Sequence, residues 1–159
     1  MKKIIAVTLL ISIVSLLSSF TLPKKVKPYN TKVTVRIDRL RAISTDACNA
    51  KMDFKGKITI IKAIKSFPVM EGNNITPGWE FTTTTIYKGI NIKIDISDDD
   101  DALCGGGDDV VIVDPTGAQT ILISLDPRYP GTKTTTVMGK KISGKEQAEI
   151  TYTTTMVAL

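Results

Sequence analysis

From residue 32 onward the chain alternates apolar and polar side chains with the period of two that a half-buried β-strand requires. Val33, Val35 and Ile37, with Arg39 continuing the parity, point one way; Thr34, Arg36 and Asp38 point the other. Residues 54–64 read as a second strand, with Ile58, Ile60 and Lys62 on one face and Thr59 and Ile61 on the other. Residues 80–87 join Phe81 to a threonine run of high β propensity, and Lys88-Gly89 makes a turn. The most regular alternation lies at residues 90–96, where Ile90, Ile92, Ile94 and Ile96 share one face and Asn91, Lys93 and Asp95 the other. Further strands are predicted at 110–113, 120–125, 134–138 and 148–157. Residues 41–52 are polar and irregular, and 66–78 hold two prolines, two glycines and an Asn-Asn pair, so both read as connections. Asp114-Pro115-Thr116-Gly117 is a turn signal. No amphipathic helix and no internal repeat stands out. About eight short strands, spaced by turns at roughly ten-residue intervals, predict an all-β fold, an eight-stranded antiparallel β-sandwich. Threonine-rich strands at 82–85, 134–136 and 153–155 suit its solvent-facing surfaces.

The N-terminus reads differently. Lys2 and Lys3 precede an apolar run at residues 4–17, broken only by Thr8, Ser12 and Ser15 and followed by Ser18 and Ser19. This is the layout of a secretory signal peptide (residues 1–22), and the run is short for a membrane span. An uncleaved N-terminal anchor is the alternative. Residues 23–31 form a Lys/Pro tether, and 32–159 one domain. Without Lys2 and Lys3 the formal charge of +5 becomes +3. Basic excess suggests nucleic acid or anionic lipid; a secreted, periplasmic or cell-envelope location argues against nucleic acid. The chain has no His, which removes the commonest general base and the commonest transition-metal ligand together.

Charge is concentrated in residues 95–114, DISDDDDALCGGGDDVVIVD, which hold eight of the sixteen acidic residues, with no Lys or Arg between Lys93 and Arg128. Two carboxylates about 4 Å apart repel by roughly 4 kcal/mol at an effective dielectric near 20. If the segment folds against the domain, a hard divalent cation, above all Ca²⁺, offsets that repulsion with the oxygen ligands it prefers. The competing reading is a solvated acidic loop that binds nothing. A second acidic segment, residues 44–53, carries Asp46 and Asp53. The two cysteines fall in these same segments, Cys48 and Cys104. In an oxidising compartment a disulfide between them would clamp the two loops and stabilise the fold by roughly 4 kcal/mol. Two buried free thiols are the alternative.

VTVRIDRLRAISTDACNAKMDFKGKITI resembles the opening of a C2 domain: a strand, a first calcium loop with an early Asp, then a second Asp entering the next strand. IKIDISDDDDALCGGGDDVVIVDPTG resembles its third calcium loop, an Asp-x-Asp pair followed by a later Asp, and PGWEF places Trp79 and Phe81 where such domains begin a central strand. The resemblance spans residues 33–125 and is similar to C2-like modules of secreted bacterial proteins. It implies a calcium site built from Asp46 and Asp53 of the first loop and Asp98, Asp100 and Asp108 of the third, with Asp101 and Asp109 competing for the remaining places. The third loop is longer and more acidic than the usual pattern. The first lacks the usual Gly-x-Ser-Asp-Pro-Tyr form, reading Ala50-Lys51-Met52-Asp53-Phe54. Only Leu103 offers a bulky apolar tip for membrane insertion.

Other chemistries fit less well. An EF-hand loop from Asp98 would need Gly at its sixth position and Glu at its twelfth, where Leu103 and Asp109 stand. One β-roll-like echo at residues 105–109 cannot build a solenoid. An anion nest at Gly105-Gly106-Gly107 would meet six repelling aspartates. A glycosidase carboxylate pair lacks a supporting His or Tyr cluster. Lys55, Lys57, Lys62 and Lys65 could face anionic headgroups, or could simply keep a sheet edge soluble. The resulting expectation is a non-catalytic module that binds Ca²⁺ and, through it, attaches to lipid, glycan or an envelope protein. Its rival is an envelope sandwich in which Ca²⁺ only locks the loops.

Overall fold

The computed structural model describes residues 29–44, 51–100 and 107–159, without the side chains of Asp100 and Asp108. Every element among them is a strand: β1 (Thr31–Ser44), β2 (Asp53–Ile60), β3 (Ala63–Ser66), β4 (Met70–Glu71), β5 (Asn74–Ile75), β6 (Trp79–Thr85), β7 (Ile90–Asp100), β8 (Gly107–Ile112), β9 (Thr120–Leu125), β10 (Gly131–Met138) and β11 (Glu146–Ala158). One layer runs β6-β1-β11-β10, all antiparallel, with β5 beside the end of β1. The other runs β3-β2-β7, antiparallel; β9 pairs the first half of β7 and β8 its last residues. The layers join through one short parallel contact, Glu146 and Gln147 of β11 against Val111 and Ile112 of β8.

The alternation predicted for the isoleucine strand holds along its whole length. Ile90, Ile92, Ile94 and Ile96 are buried beside Phe54, Ile58 and Ile60 of β2 and share one core with Val33, Val35 and Ile37 of the other layer. Such aliphatic strand faces lose water only against a second layer, which is why two sheets form. Trp79 sits in that core with its ring stacked on Phe67, centroids 5.5 Å apart.

The all-β class is as expected, and the strand count and strict antiparallel pairing are corrected. Residues 54–64 are not one strand: β2 and β3 form a hairpin turning at Ile61-Lys62, with Ile61 at φ 60°. A β-branched residue is strained there, and the Ile61 side chain packs against the core in return. A register shift between Ile37 and Arg39 also reverses the parity of β1. Leu40 is therefore buried, and Arg39 instead reaches Glu149 at 2.5 Å. The supposed connection 66–78 contributes β4 and β5, and β1 continues into what read as loop. All but the hairpin depend on pairing partners distant in sequence.

The outer face of the β6-β1-β11-β10 layer is threonine-rich, as predicted. Hydroxyls pair across strands at Thr34–Thr82, Thr132–Thr155, Thr134–Thr153 and Thr136–Thr151, 2.8–3.1 Å apart. Such pairs stabilise a sheet by a few tenths of a kcal/mol each, up to about 1.

Candidate functional site

β2 begins and β7 ends at the same place, because Phe54 pairs with Asp98 in register. β8 starts beside them, with Asp109 opposite Asp98, Asp108 opposite Asp99 and Gly107 opposite Asp100. Residues 45–50, which precede β2 in sequence, and 101–106, which join β7 to β8, therefore attach at the strand end that carries the aspartates.

Asp98 is the central residue. It continues the inward parity of Ile94 and Ile96 and is completely buried, so the core face of β7 ends in a carboxylate. Its Oδ1 accepts a hydrogen bond from the Asp53 backbone N–H at 2.5 Å, tying the start of β2 to the end of β7. Asp53 is half-buried and Asp109 exposed. Asp99, of opposite parity, turns outward and pairs with Lys55 at 3.1 Å. The aspartate run is therefore divided by the strand period: Asp98 faces the interior and Asp99 a lysine.

Asn73 is a residue that sequence reasoning missed. Its carbonyl accepts from Ala42 N–H at 2.9 Å and its Oδ1 from Met52 N–H at 3.3 Å. It pins together the two ends of the first acidic segment. An Asn-Asn pair signals a turn, but nothing local marks which backbone groups it will reach.

Of the seven predicted ligands, Asp46 and Asp101 lie outside the described residues, as do Cys48 and Cys104 with the disulfide expected between them. Asp100 and Asp108 are placed by their backbone alone. Asp53 and Asp98 are brought together, and Asp109 is set across from Asp98. Among the described residues no group of three or more acidic, His or Cys side chains is arranged to hold a metal. The described residues supply one buried carboxylate of the oxygen type a hard cation prefers, Asp98, tied to the start of β2 through the Asp53 main chain.

Next to the site, on the outer face of β2 and β7, lies a shallow depression of about 400 Å³ whose lining includes Lys55, Lys57, Lys93, Asp95, Gln119 and Thr120. Lys57 and Lys93 reach Asp95 at 3.6 and 2.9 Å, and Thr120 donates to it at 2.6 Å. Burial works to raise the Asp95 carboxyl; the Thr120 hydroxyl, Lys93 and Lys57 together outweigh it and hold the group below the ordinary carboxylate range. A lowered folded-state value stabilises the fold fully above the unfolded value, near pH 4, and that contribution is lost as pH falls through the folded value. Melting of the wild type is expected to fall more steeply than that of Asp95→Asn between about pH 5 and pH 2; parallel curves would show that the pairing is energetically silent.

The sequence matches no family model and no curated protein. Its structure is similar to solved ones. A structure described as that of a C2 domain superposes with a TM-score of 0.59 at 15% identity, covering 79% of this chain and 97% of that one. A single C2 domain of a plant extended synaptotagmin 1 gives 0.57 at 13% identity, covering 84% and 98%. Calcium-bound extended synaptotagmin 2, with two consecutive C2 domains, gives 0.54 at 11%, covering 83% of this chain and 47% of that one. At such identities the likeness is one of fold, and this chain has the fold of a C2 domain.

Proposed function

We propose that this protein is a secreted, non-catalytic module that binds Ca²⁺ through aspartates of its two acidic loops and uses the ion to attach to anionic lipid. The observation that carries the reading is Asp98, a fully buried carboxylate at the strand end between those loops, hydrogen-bonded to the main chain of Asp53. Asp98 with Asp46, Asp53, Asp100 and Asp108 would supply the oxygens, and Asp101 or Asp109 the remainder. The calcium-bound state of a protein with the same fold supports this choice of ion. The leader-like N-terminus supports export. Because Leu103 alone could insert, attachment is electrostatic, through the ion and the neighbouring lysine face of Lys55, Lys57 and Lys93.

Calorimetric titration of the mature protein with calcium tests the site, and cosedimentation with vesicles tests the partner. Binding is expected at about 10⁻⁴–10⁻³ M, as in extracellular modules. At calcium ten times above the dissociation constant the fold gains about 1.4 kcal/mol, a rise in melting temperature of roughly 5 °C. Phosphatidylserine vesicles should pellet the protein in calcium and release it in chelator. Saturable binding without vesicle retention would leave Ca²⁺ as a lock on the loops. Absence of binding at millimolar calcium would make the acidic segments a solvated surface.

A further inference from the structure

The β6-β1-β11-β10 layer has two outer edges, and they differ. At the β6 edge, Lys65 of β3 donates to the Glu80 carbonyl at 2.9 Å, and the turn at Ile61-Lys62 lies beside Thr83–Thr85. A side chain and a turn of the other layer thus lie along that edge. At the other, β10 presents eight residues, Gly131–Met138, paired with β11 on one side and with no strand on the other among the described residues. Natural sheets blunt such edges with Pro, inward charges, bulges or very short strands. β10 has an unbroken register with β11 and contains no Pro; its one charge, Lys133, has the inward parity of Val137 and is the single such device along the strand.

Its sequence is also complementary to itself. β10 already pairs with a threonine strand: Thr132, Thr134 and Thr136 bond Thr155, Thr153 and Thr151 hydroxyl to hydroxyl. In an antiparallel pair of two β10 strands about a two-fold axis at Thr134, Thr132 meets the second copy's Thr136 and Thr134 meets its own counterpart. The same Thr–Thr contacts then repeat across the junction. Lys133 falls opposite the second copy's Thr135, so like charges meet only on the diagonal, Lys133 to Lys133 across the axis. Residues opposite each other share a face, so both cores stay on one side and two four-stranded layers become one of eight. We propose that this protein associates as a two-fold dimer by pairing β10 with β10 of a second copy. The symmetry closes the assembly at two, and an edge contact of one strand makes it weak and concentration-dependent.

Sedimentation equilibrium of the mature protein over a wide concentration range tests this. It is run in chelator, so that its outcome is separate from the calcium reading. The expected result is a mass rising toward twice that of the monomer with concentration. Thr134→Lys and Thr134→Glu, each placing like charges face to face on the axis, should each be monomeric with unchanged circular dichroism. Mixed in equal amounts they should recover the dimer, because Lys then faces Glu. If Thr134→Lys unfolds, the double variant Thr132→Lys with Thr136→Lys replaces it, since each new lysine then faces a lysine of the second copy. A wild type that stays monomeric, a dimer that survives Thr134→Lys, or a mixture that fails to reassociate would overturn the proposal.

Discussion

Asp98→Ala is expected to destabilise the protein by roughly 3 kcal/mol in chelator, and Asp98→Asn by only about 1. The side chain is fully buried and its Oδ1 accepts from the Asp53 N–H. Alanine leaves that donor without its acceptor and opens a hole at the end of the core. Asparagine keeps an amide oxygen in the same place and exchanges a charge-assisted hydrogen bond for a neutral one. Calcium should widen the gap between both variants and the wild type. Both lose the buried carboxylate, so neither should gain the calcium-dependent rise in melting temperature. Asp98→Asn, close to wild type in chelator, should therefore fall well below it in millimolar calcium. Thermal melts of the three proteins with and without calcium make the measurement. If Asp98→Asn gains as much from calcium as the wild type, Asp98 is a structural carboxylate and the proposed site fails.

That a single residue belongs to both the core and the proposed site explains how much of each was legible in the sequence. Alternation along residues 90–96 gives the inward parity of β7 without any knowledge of the partner strands, because a side-chain period of two is a property of the strand itself. Extending the parity two residues puts Asp98 inside and Asp99 outside, and the structure agrees. The acidic composition marks the same strand end. Elsewhere the alternation pattern does not carry the information. The shift at Ile37/Arg39, which buries Leu40, depends on β11, more than a hundred residues later. The hairpin at Ile61-Lys62 overrides an apolar run that continues through Ile64, against the ordinary preference of isoleucine for negative φ. The grip of Asn73 on Ala42 and Met52 is visible only when β1 and β2 are already in place. Aspartate composition names candidate ligands, whereas which of them converge is decided by loops whose path the strand pattern does not encode.

Gly56→Ala is expected to cost roughly 3 kcal/mol and lower the melting temperature by about 10 °C. Gly56 lies in β2 between Phe54 and Ile58, at a position of inward parity where every neighbour of that parity is a large apolar residue. The missing side chain is filled from the opposite layer: a Cβ there would come within 2.3 Å of Trp79 Cζ3 and 2.5 Å of Cε3. The indole lies against the backbone of β2, with Phe67 stacked on it, and Phe67 N–H is bonded to the Gly56 carbonyl at 2.9 Å. A methyl group must therefore push the tryptophan off both Phe67 and β2, or push β2 off β7. The second route reaches the site, since Phe54, two residues away, is in register with Asp98. A size swap tests the account. Gly56→Ala combined with Trp79→Leu removes the clash, so the pair should be less destabilised than the sum of the two single variants by about 1 kcal/mol or more. Additive effects in chemical denaturation would mean that the backbone of β2, and not the indole, resists the methyl group. Under the proposed calcium reading, a displaced β2 should also weaken calcium binding in Gly56→Ala, and the double variant should regain it; unchanged binding in Gly56→Ala would show that the tryptophan moves instead.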